Sequence, residues 1–225
     1  MARRTIVSRT IHRQVWPLAA LLLANTAVPA WADDEGPRLR LDADLRHEDN
    51  LFRLPQDAQD AAGGGSDQVS VATLGLGWSR QLSRQRLELD GEVSRHRFRR
   101  HGYLDHDTRS LRGLWQWQWA SRLTGSVGFH RHQSLASFAD YRVADLRNLR
   151  TFEERTAAAE WQFLGPWHLV AGVREDRLRN GQTYVAEDDQ RSRAGEAGLR
   201  YRAEAGGSLE LMVRHRSGDY RHDVD

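Results

Sequence analysis

From residue 37 onward the chain repeats one arrangement. Stretches in which apolar and polar side chains alternate are joined by gaps that are by turns long and short. Residues 38–46 show it most clearly: Leu39, Leu41, Ala43 and Leu45 are interleaved with Arg38, Arg40, Asp42, Asp44 and Arg46. Successive side chains of a strand point to opposite faces, so this segment makes one apolar and one charged face. A helix of the same composition would mix the two classes around its circumference.

The same reading yields about nine strands. The second, residues 68–81, aligns Ala72, Leu74, Leu76 and Trp78. A tight turn at Ser83-Arg84 leads to the third, where Leu87, Leu89, Gly91 and Val93 oppose Glu88, Asp90, Glu92 and Ser94. A long charged gap, residues 98–107, precedes a fourth strand with Leu111, Gly113, Trp115, Trp117 and Trp119 against Arg112, Gln116 and Gln118. Ala120-Ser121-Arg122 turns into the fifth, with Leu123, Gly125, Val127 and Phe129 on one face. After a long loop, residues 133–149, the sixth ends in Ala157, Ala159, Trp161 and Phe163. Gly165-Pro166 turns into the seventh, with Trp167, Leu169, Ala171 and Val173. A gap holding Asn180-Gly181 and a turn at Ala205-Gly206-Gly207 bound the eighth; Leu209, Leu211 and Val213 mark the ninth.

Alternating short and long gaps fit an up-and-down sheet with tight turns at one end and long loops at the other, as in outer-membrane barrels. Trp78, Trp119, Trp161 and Trp167 gather near the short turns, where an aromatic girdle belongs. The expected fold is therefore all-β: an antiparallel up-and-down transmembrane β-barrel, partial at about nine strands, over residues 33–225. Arg40, Asp42, Asp44, Glu88, Asp90, Glu92, Arg112, Gln116 and Gln118 are the candidate lumen lining. A soluble sandwich or barrel alternates too, but has no reason to set Trp near one end of its outward face.

Residues 1–32 read as an export signal. Arg3, Arg4, Arg9 and Arg13 form a basic start, residues 15–24 are apolar, and Ala30-Trp31-Ala32 suits cleavage. A membrane-spanning helix needs about 20 apolar residues, and Pro17, Asn25, Thr26 and Pro29 interrupt this stretch. Without that segment, which holds four of the 33 basic residues, 29 face 31 acids, so the formal charge of +2 becomes −2. A basic nucleic-acid-binding surface is not indicated, since the Arg residues are interleaved with Asp and Glu. All basic residues are Arg; the chain has no Lys and no Cys, which excludes disulfides and thiolate metal sites.

Other constellations are weaker. His130 and His132 share a strand face, and His96, His101 and His106 sit near a loop, but spacing places no third ligand to complete a metal site. Ser134, His132 and Asp140 lie close together without a nucleophile elbow, so no catalytic residue, metal or cofactor is expected and the chain is not read as an enzyme. The stretch Arg95-His96-Arg97-Phe98-Arg99-Arg100 suits a loop touching anionic lipopolysaccharide or polysaccharide.

Three segments resemble a known family. Arg46-His47-Glu48-Asp49-Asn50-Leu51-Phe52-Arg53-Leu54-Pro55 closes the first strand, and Tyr103-Leu104-Asp105-His106 opens the fourth. Ser134-Leu135-Ala136-Ser137-Phe138-Ala139-Asp140-Tyr141-Arg142 is followed by Arg147-Asn148-Leu149-Arg150-Thr151. In order, they look like the EpsL proteins of the outer membrane associated with exosortase B and PEP-CTERM polysaccharide loci. The resemblance implies an outer-membrane barrel in extracellular polysaccharide biosynthesis or export, with outer-membrane lipid, polysaccharide and other export-system proteins as partners. It supplies no catalytic residue. Family members continue with more strands, so a barrel domain truncated at the C-terminus is expected. The alternatives are a general porin-like or structural barrel and a soluble periplasmic glycan-binding β-protein.

Overall fold

The computed structural model describes residues 35–55, 65–138, 147–182 and 189–220. The expected export signal, the end of the chain from residue 221, Gly63, Gly64 and residues 139–146 with Asp140 lie outside the described residues. Nine strands follow one another as β1 (Gly36–Glu48), β2 (Asp67–Leu82), β3 (Gln85–Phe98), β4 (His106–Trp119), β5 (Leu123–Leu135), β6 (Leu149–Leu164), β7 (Trp167–Asn180), β8 (Gln190–Arg202) and β9 (Ser208–Tyr220). Each pairs antiparallel with its sequence neighbours in one nine-stranded sheet of order β1 to β9. Among the described residues the hydrogen-bonded sheet is open: β1 pairs only with β2, and β9 only with β8.

The short turns have local causes. Ser83 (φ 56°) and Gly165 (φ 50°) occupy the first position of two-residue connections with positive φ. Pro166 follows Gly165, and its ring holds φ near −65°, which gives the sign pattern of a type II′ hairpin. Ala120 (φ 54°) and Gly206 (φ 90°) take positive φ in the turns after β4 and β8.

Three expectations are corrected at the long-gap end. Arg95 and Arg97 lie inside β3 rather than in a loop, and residues 133–135 extend β5. Tyr103 and Leu104 do not open β4; they belong to a single 3-10 turn, Gly102–Leu104.

The buried core is small and sits at that end. Phe52, Val69, Val71, Phe98, Leu104 and Phe138 form one cluster, with Leu51, Leu54 and Leu135 packed against it. Phe52 meets Phe138 edge-on with ring centroids 5.1 Å apart. Phe52, Leu104 and Phe138 bring three separate connecting segments together in this cluster. Their backbone is held by side chains. Asn50 closes its turn by donating from Nδ2 to the Leu54 carbonyl (2.8 Å) while its Oδ1 accepts from the Leu54 N–H (3.0 Å). The buried Asp67 carboxylate accepts from the N–H groups of Gln68 (2.7 Å), Arg100 (3.0 Å) and His101 (3.0 Å) and meets the His101 ring Nδ1 at 2.8 Å.

Candidate functional site

Directly opposed residues of neighbouring strands share a face, so the register sorts every strand residue into one of two surfaces. Arg38, Gly77, Asp90 and Arg112 are opposed in turn across β1 to β4. Arg40, Gly75, Glu92 and Ser110 form the next row, and Ser79, Glu88 and Leu114 lie one row nearer the short turns. Asp42 and Asp44 continue the same face on β1, while Gln116 and Gln118 continue it on β4 towards Ser126 and Thr124 of β5. All nine candidate lining residues thus share one polar face. Gly77 has a local reason to be glycine: a Cβ there would lie 2.8 Å from Asp90 Oδ1, in the path along which Arg38 reaches across β2 to Asp90.

Charges on this face largely neutralise one another. Arg40 pairs with Asp42 at 2.5 Å, Arg46 with Asp44 at 2.7 Å, Arg86 with Glu88 at 2.6 Å and Arg214 with Glu196 at 2.7 Å. Glu160 is a hub near the short turns, contacting His168 at 2.8 Å, Arg200 at 2.5 Å and Arg202 at 2.8 Å. Exposed pairs of this kind are worth less than about 1 kcal/mol each. Their effect is therefore less on stability than on the surface presented: hydrated, dense in hydrogen-bonding groups and nearly charge-balanced. Four of the histidines noted in the sequence lie on this face as two stacked pairs. His96 stacks on His106 at 4.5 Å and His130 on His132 at 5.1 Å. Among the described residues no group of three or more His, Asp or Glu is placed to hold a metal ion.

The opposite face is apolar and uncovered. Leu41 is 73 % exposed, Trp119 76 % and Leu211 73 %. Across β4 to β9 its rows read Trp119, Leu123, Trp161, Leu169, Leu199, Leu211, then Trp117, Gly125, Ala159, Ala171, Ala197, Val213, then Trp115, Val127, Ala157, Val173, Gly195, His215. Trp78, Trp119, Trp161 and Trp167 all lie on this face towards the short turns. Fully burying one such Leu or Val is worth about 1.5–3 kcal/mol, so a sheet normally covers this surface with a second layer. Among the described residues none does so, and no helix is long and apolar enough to cross a membrane.

Towards the long gaps the same face turns basic, which the sequence reading did not anticipate. The next row is Phe129, Arg155, Glu175, Arg193, Ser217, and the one after it is Arg131, Glu153, Arg177, Arg191, Asp219. Arg95, Arg97, Arg109 and Arg179 extend this belt. The signal was present in the sequence: apolar positions give way to Arg after Val93, before Leu111 and after Phe129.

The described residues thus form one class of structure, a nine-stranded antiparallel meander with an apolar band, a basic belt above it and a polar opposite face. No family model, no curated protein and no solved structure matches the chain.

Proposed function

We propose that the sheet is the wall of an outer-membrane β-barrel that takes part in extracellular polysaccharide export, as a hydrated passage or as part of the export complex. The observation that carries this reading is the uncovered apolar band, continuous over all nine strands and backed by a polar, charge-paired face. Lipid is the solvent that such a band requires, and water the solvent for the other face. Tight turns at the Trp end and long gaps at the Arg end fit periplasmic and extracellular sides. A nearly balanced polar face lets a hydrophilic polymer pass without the trapping that a surface of one sign would cause. The Phe52, Leu104 and Phe138 cluster would narrow the mouth on the β2–β3 side. The resemblance to the EpsL family supports polysaccharide as the cargo.

The chain has no native Cys, so single cysteines report each face cleanly. In intact outer membranes, Arg40→Cys, Glu88→Cys and Gln116→Cys should react with a small water-soluble thiol reagent, and Leu41→Cys, Leu89→Cys and Val127→Cys should be protected. Equal reactivity on both faces, in a chain that stays soluble without detergent, would overturn the reading in favour of a soluble glycan-binding protein. Glycosyltransferase or exosortase genes beside this one favour the export role. A membrane barrel whose gene lacks them fits a general porin-like or structural barrel.

A further inference from the structure

The basic belt is placed where charge is costly. From Leu123 to Phe129 the apolar run of β5 covers about 20 Å along the strand at ~3.4 Å per residue, less than the roughly 25 Å band of outer-membrane barrels. The first Arg residues of the belt therefore fall at the edge of the apolar band, where a guanidinium needs an anion. The sheet supplies too few: Glu153 serves both Arg131 (3.6 Å) and Arg155 (3.8 Å), and Glu175 serves both Arg191 (2.8 Å) and Arg193 (3.2 Å). Arg177 stands directly opposite Arg191, and like charges so opposed repel, while Asp219 of β9 faces Arg191 from its other side and leaves Arg177 without an acid of its own. Arg109 and Arg179, both exposed, make no ion pair among the described residues, and the Nε donor of Arg191 is buried without a partner.

The surface beneath the belt is hollow. Ala157 and Gly195 are small, and with Val173 between them they lie between Val127 and Phe129 of β5 and His215 of β9. They floor a shallow groove of about 600 Å³ that opens upward to Arg155, Glu175 and Arg193. An apolar trough ending at forked, always-charged donors matches one ligand class: a lipid chain joined to a phosphate.

We propose that this part of the apolar face is a binding site for a phosphorylated membrane lipid. Its acyl chain lies in the groove over β6 to β8, and its phosphomonoester sits between Arg177 and Arg191, with Arg155 and Arg193 at the side. The proposal rests on the membrane reading above and adds the lipid class and the residues that select it.

The test uses the full chain refolded into phosphatidylcholine vesicles with and without diphosphoryl lipid A. Flotation and the heat-dependence of gel mobility report insertion. Native mass spectrometry after detergent extraction reports retained lipid. The unaltered protein should retain diphosphoryl lipid A in preference to phosphatidylcholine. Arg177→Gln with Arg191→Gln should lower that retention about tenfold, the loss expected when charge-assisted hydrogen bonds to phosphate are removed. Arg84→Gln with Arg122→Gln, an equal charge change in the short turns, should leave it unaltered. Competition with inorganic phosphate separates the sources of the anion: retention that survives it supports a lipid seat, and full displacement reduces the site to a free-anion site and overturns the proposal. A chain that inserts but retains both lipids equally overturns it alone. A chain that never floats with the vesicles overturns the membrane reading, and the proposal with it.

Discussion

Gly125 illustrates how closely single residues are fitted in this sheet. A Cβ built there would meet the Trp117 ring and would lie 2.6 Å from the Ala158 carbonyl of the next strand, whereas one at Gly91, also on the apolar face, meets nothing within 4 Å. Gly125→Ala should therefore destabilise the protein by about 1–3 kcal/mol, the usual cost of overpacking, and Gly91→Ala should be close to neutral. Urea midpoints of the two variants refolded in the same detergent make the comparison, and equal midpoints would show that both the Trp117 ring and the β6 backbone give way. Asp67 is the corresponding polar case. Its carboxylate, 2 % exposed, organises the segment between β3 and β4 through the Arg100 and His101 amides. Asp67→Ala should cost about 2–3 kcal/mol, since several hydrogen bonds to a charged acceptor, each worth more than a neutral one, are lost together. Faster hydrogen exchange at Arg100 and His101, with little change in β7 to β9, is the expected signature.

At the scale of the element, the short turns show where local strain is stored. Ala120 adopts φ 54° without being glycine, a conformation that costs an L-residue about 1–2 kcal/mol. Ala120→Gly removes that strain and gives back part of it as entropy of the unfolded chain, for a net gain of about 0.5–1 kcal/mol. A raised urea midpoint checks it; a lowered one would mean that the turn is not strained in the folded protein. The strands themselves were legible because period-two alternation is a local signal, and every short turn was found where Ser83, Ala120, Gly165 and Gly206 stand. Strand ends were less visible. Charged residues such as Glu48 and Arg97 continue the ladder past the apolar pattern that marks it. The loop-end core was not legible either: Phe52, Leu104 and Phe138 are far apart in sequence, and no periodicity links an aromatic in one gap to a leucine in another. The nine candidate lining residues fall on one face because the register preserves alternation. The basic belt was missed because Arg on an otherwise apolar face looks, in sequence, like the start of a loop.

For the molecule as a whole, the exposed apolar band predicts detergent dependence. The chain from residue 33, refolded in micelles, should migrate differently on a gel before and after boiling and give a β-rich circular dichroism spectrum. Aggregation without a heat-sensitive band would mean that these nine strands do not enclose a stable unit by themselves. The open sheet carries a further geometric consequence. Strand direction alternates at each step, so after nine strands the first and the last run the same way. If β1 and β9 met, their seam would be the one parallel ladder in an otherwise antiparallel wall, with slanted hydrogen bonds and no hairpin to fix its register. Copies inserted in the same orientation meet the same parity, because β9 of one copy would also lie parallel to β1 of the next. An antiparallel closure needs an odd number of additional strands between the two edges.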